Sequence, residues 1–90
     1  MRRLVQIFKS SRQQEMYLYV DKARGMEDVP ADLLKRFGEP EPLMALLLVP
    51  ERKLARVDAA EVLAKISEQG FYLQMPPTAA ELLLREGSRD

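Results

Sequence analysis

Two runs rich in β-favouring residues open the chain, "RRLVQIFK" and "MYLYVDK", with the polar stretch "SSRQQE" between them. Such runs around a Ser-containing polar link predict an antiparallel hairpin with a longer loop. In the second run Met16, Leu18 and Val20 fall on one face, and Tyr17 and Tyr19 on the other. "EDVPADLLKRFG" then predicts a short helix. Pro30 suits its first turn, where no N–H is needed, Leu33, Leu34 and Phe37 form an apolar stripe, and Gly38 stops it. "GEPEP" forbids regular structure until Leu43.

"LMALLLV", residues 43–49, has no alternation. An unbroken apolar run predicts a strand covered on both faces, and hence central in its sheet. A turn near Pro50 and Glu51 would return "KLARV" beside it as a shorter, more exposed strand, whose edge is open to pairing with another chain. Asp58 has the chemistry of an N-cap, with Glu61 three residues on, and Ala59, Val62, Leu63 and Ile66 make the buried stripe of a helix that Gly70 ends. Lys65 and Glu68 face water.

In "GFYLQMPPTAAELLL" a short strand places Phe71, Leu73 and Met75 on one side, Tyr72 and Gln74 on the other. Pro76 and Pro77 cannot donate to a ladder and stop it. Thr78, with Glu81, would cap a last helix held by Leu82, Leu83 and Leu84, and residues 87–90 fray. The predicted order is β-β-α-β-β-α-β-α, a single α+β domain over residues 1–90, its helices packed on a mostly antiparallel sheet.

Composition narrows the chemistry. The 90 residues include no Cys and no His. Without them there is no disulfide framework, no thiolate nucleophile, no Ser-His pair and no imidazole metal ligand. The longest apolar run is about a third of a membrane span, and Gln6 and Lys9 break up the basic start before a signal-peptide core forms. The expected location is cytoplasmic. Net charge is zero, yet residues 1–24 hold six basic residues against Glu15 and Asp21. A basic end can attract phosphates.

Three clusters carry candidate chemistry. Lys9, Ser10, Ser11 and Arg12 combine hydroxyls and cations in the hairpin loop, which suits either a phosphate or an ordinary turn. Tyr17, Tyr19 and Tyr72, expected on one exposed sheet face, suit either base stacking or core or rim packing with each hydroxyl reaching solvent. Tyr72, Gln74, Pro76 and Pro77 form a lip at the strand-to-helix corner. The carboxylate pairs Glu27–Asp28 and Glu39–Glu41 sit in polar loops, where a magnesium site would instead need convergence on rigid elements.

"KSSRQQEMYLYVDK", "VPADLLKRFGEPE" and "EQGFYLQMPPTAAELL" together resemble the YcgL family of small gammaproteobacterial proteins, across nearly the whole chain. The resemblance implies a compact domain of a sheet with packed helices, and it implies no catalytic residues. The expectation is a non-catalytic interaction or regulatory module, with no cofactor and no metal. Its partner would be another protein, the chain itself being a monomer or weak homodimer. The alternative is an RNA-binding or metal-dependent, nuclease-associated factor that uses the basic hairpin.

Overall fold

The computed structural model describes residues 2–54, 57–76 and Ala80. Four strands and two helices follow in the order β1 (Arg3–Lys9), β2 (Tyr17–Asp21), α1 (Ala31–Phe37), β3 (Glu41–Leu48), α2 (Ala59–Gln69) and β4 (Phe71–Gln74). The strands form one antiparallel sheet in the spatial order β3-β1-β2-β4. This is an α+β fold.

Strand alternation divides the core in two. Val5, Ile7 and Tyr19 pack with Leu48 and with Ala59, Val62, Leu63 and Ile66 of α2. Leu18 and Val20 turn to the other face and pack with Met16, Val29 and Phe37. The connections β2-α1-β3 and β3-α2-β4 thus place one helix on each side of the sheet. Neighbouring residues of β2 point to opposite faces, so Leu18, Tyr19 and Val20 are all buried.

Local signals place the helix ends. The Asp58 carboxylate accepts from the Ala60 N–H at 3.3 Å, the N-cap geometry expected of it. Gly70 takes the left-handed conformation and donates its N–H to Ile66 at 2.9 Å. Pro30 stands at the N-cap of α1, one residue before the first helical turn.

Two expectations need correction. The run from Leu43 is not central: β3 is an edge strand, and Leu43, Met44, Ala45 and Leu47 are exposed. The centre belongs to β1 and β2. β1 can be central despite Arg3 and Gln6 because both polar groups find partners: Gln6 donates to the Met44 carbonyl at 2.9 Å, and Arg3 pairs with Asp21 at 2.6 Å. Among the described residues of "KLARV", Lys53 makes an isolated bridge to Asp58, and Lys53 and Leu54 lie in no strand. Ala55 and Arg56 lie outside the described residues. So does the stretch expected to form the last helix, apart from Ala80.

Candidate interaction surfaces

The hairpin loop is organised around one hydroxyl. Ser10 is 5% exposed, and its Oγ donates to the Phe37 carbonyl at 2.5 Å. The same oxygen accepts from the N–H groups of Arg12 at 3.1 Å and Gln13 at 3.0 Å. A serine placed two and three residues before these amides makes such a turn by itself. The bond to Phe37 is long-range, and it ties the loop to the end of α1. Lys9, Ser11 and Arg12 are exposed around it. Replacing Ser10 by alanine leaves a buried carbonyl and two loop amides without this partner. A stability loss of about 1–3 kcal/mol follows, read as a lower urea midpoint at unchanged slope.

The tyrosines lie on the face that α2 covers. Tyr19 is buried and meets Tyr72 edge to face, with ring centroids 5.8 Å apart and an interplanar angle of 78°. Its hydroxyl donates to Gln74 Oε1 at 2.6 Å, which explains how a glutamine is buried at the end of β4. Tyr17 and Tyr72 are half-buried against the same cluster. Together the three rings wall a core and present no open row of faces to stacked bases. At the lip, Pro76 is half-buried, Gln74 is turned inward, and Pro77 lies outside the described residues.

The charged groups near the end of α2 neutralise one another. Arg3 pairs with Asp21 and also donates to Ser67 Oγ at 3.2 Å. The Arg3 hydrogen bond, with help from the Ala23 N–H, holds the Asp21 carboxyl below its usual range. Arg24 lies 2.6 Å from Asp28 and lowers that carboxyl in the same way. Glu27 is 3.9 Å from Arg24, so the loop acids answer a neighbouring cation. Among the described residues no three Asp or Glu converge in a way that could hold a metal ion.

The surface missed by sequence reasoning is the outer edge of β3. Leu43 is 52% exposed, Met44 48% and Leu47 48%. Leu4, paired with Leu47 across the β1–β3 ladder, is 47% exposed. Beyond β3 the described residues place no further strand. The strand is eight residues long and carries a single charge, Glu41. Edge strands of monomeric proteins are usually short, charged or interrupted. β4 at the opposite edge obeys that rule: it has four residues and is followed by Pro76. On β3, Pro42 and a bulge opposite Ile7/Phe8 protect only the first part. The signal available in the sequence was the absence of any basic residue from Leu43 to Val49.

Residues 5–77 match the model of the YcgL domain family, a stretch that takes in all six elements save the start of β1. The chain belongs to the YcgL domain family. A YcgL domain-containing protein of Chromohalobacter salexigens is 58% identical over 83 residues, covering 92% of this chain and 86% of the relative. Relatives so named from Hahella chejuensis and Pseudomonas aeruginosa are each 52% identical over 83 residues. They too match 92% of this chain, covering 78% and 86% of their own lengths. These names state the domain and no reaction.

In this YcgL domain the buried polar groups at the candidate sites (Ser10, Tyr19, Gln74) bond to one another or to backbone, so their chemistry is spent on structure. Leu43, Met44 and Leu47 of β3 remain about half exposed. No helix among the described residues is long and apolar enough to cross a membrane.

Proposed function

We propose that this YcgL domain is a non-catalytic interaction module of the cytoplasm, and that it engages a protein partner along the outer edge of β3. The exposed row of Leu43, Met44 and Leu47 on an edge strand supports this reading. An extended segment laid along that edge would satisfy outward-facing backbone groups and cover the leucines, the mode called strand addition. Of the hairpin loop, Lys9 pairs in register with Glu41 and so stands at one end of such a contact, whereas the lip belongs to the opposite edge of the sheet.

The test is capture of binding proteins from native lysate, with nuclease-treated and untreated halves. Leu47→Glu puts a charge in the middle of the edge and is expected to abolish capture. Ala64→Glu, on the exposed side of α2, leaves capture intact. Capture that survives in Leu47→Glu would discard the edge. Capture that disappears with nuclease would replace the reading by RNA binding through Lys9 and Arg12.

A further inference from the structure

We propose that β3 pairs with β3 of a second copy of this chain, antiparallel about a two-fold axis at Ala45, joining two four-stranded sheets into one. The inference rests on reading β3 as a pairing edge, and goes beyond it by naming the occupant.

Backbone directions set the register. The Lys22 N–H donates to the Leu4 carbonyl at 2.9 Å, so Leu4 turns its backbone groups toward β2. Alternation then turns Arg3, Val5 and Ile7 toward β3, where their partners are Leu48, Leu46 and Met44. Those three residues point their backbone groups inward. Ala45 and Leu47 therefore point theirs outward, along the open edge. A two-fold axis at Ala45 lets it exchange both hydrogen bonds with its own copy. The same axis sets Met44 beside Leu46 of the partner subunit, and Leu47 runs toward the partner subunit's Leu43, the residue the bulge leaves without a β1 partner. Met44 thereby meets an apolar side chain.

Charge selects an antiparallel copy. Glu39 and Glu41 stand at the start of the strand, whereas Arg52 and Lys53 outnumber Glu51 in the turn after its end. Antiparallel self-pairing brings the acidic start of one copy to the basic turn of the other. A parallel arrangement would set the carboxylates side by side. No charge lies between Pro42 and Pro50 to oppose its own image. An isologous contact needs this self-complementarity, which a partner of different sequence does not.

The chain contains no Cys, so one introduced thiol reports one position. Residues directly opposite in a hydrogen-bonded antiparallel pair have Cα atoms about 5.5 Å apart, within disulfide range. Ala45→Cys is expected to cross-link into a dimer on mild oxidation. Leu47→Cys, about 14 Å from its image in this register, does not, and neither does Ala64→Cys on α2. Sedimentation equilibrium of the native chain should show a concentration-dependent monomer–dimer balance. Leu47→Glu occurs twice in each interface, so a tenfold loss per site weakens the balance about a hundredfold. Circular dichroism confirms that each variant folds.

A native chain that stays monomeric at every concentration, or an Ala45→Cys thiol that cross-links no faster than Ala64→Cys, overturns the proposal. Preferential cross-linking at Leu47→Cys overturns the register. A monomer whose Leu47→Glu variant still loses its captured protein defeats the second copy and leaves the edge reading standing. A monomer whose Leu47→Glu variant keeps that protein defeats both.

Discussion

Phe37→Ala is expected to cost about 3–5 kcal/mol, the range for deleting a fully buried aromatic ring. Phe37 is wholly buried and ends α1 among Met16, Leu18, Val20 and Val29. It is the largest of the fully buried side chains, so its loss opens the biggest cavity a single truncation can make among the described residues. α1 has only seven residues, too few to hold a helix in water without packing. Its attachment to the sheet therefore depends on this ring together with the half-buried Leu33 and Leu34. The loss does not stop at the helix, because the Phe37 carbonyl also receives the Ser10 hydroxyl. Urea unfolding should show a lower midpoint, and hydrogen exchange should show earlier opening at Arg12 and Gln13. Domains of this size have a total stability of about 5–15 kcal/mol, so the variant loses a large share of it. A loss below about 1 kcal/mol would mean that the α1 face is not a true core.

Gly70→Ala is expected to be the next most damaging change, at about 2–5 kcal/mol from backbone strain and overpacking together. Gly70 has φ of +92°, which L side chains rarely adopt. An added Cβ would also fall on the side chain of Asp28, its nearest heavy atom being Asp28 Cβ itself. That atom is fixed by the backbone and cannot swing aside. Asp28 is held as well by Arg24 at 2.6 Å, so relief would come from shifting the loop and breaking the pair. The thermal midpoint should fall far more than for Gly25→Ala. Gly25 also has positive φ, but an added Cβ there meets nothing within 4 Å. Equal losses at the two positions would assign the whole effect to φ and none to Asp28.

The candidate sites were legible as residues and poorly legible as surfaces. Ser10 announced a turn, and a turn is what it makes, but its bond to Phe37 joins residues 27 apart that no local pattern relates. Tyr17, Tyr19 and Tyr72 were correctly assigned to one face. Whether that face is bare or covered depends on where α2 comes to rest. The lip lost Gln74 to the interior because Tyr19, 55 residues earlier, supplies the hydroxyl that satisfies it.

The sequence by itself determined the elements that local chemistry controls. These are the opening hairpin, both helices with the Asp58 cap and the Gly70 stop, the short last strand and the α+β class. It also determined family membership, since matching residues recur from Val5 to Pro77. Only the tertiary structure decided the order of strands across the sheet. An unbroken apolar run such as Leu43–Val49 records how much surface a strand would gain by being covered, and is silent about what covers it. β1 took the centre because it pairs with β2 on one side and β3 on the other, and because Gln6 and Arg3 found partners there. Those pairings join residues far apart in the chain, and they left the most apolar strand with an open edge.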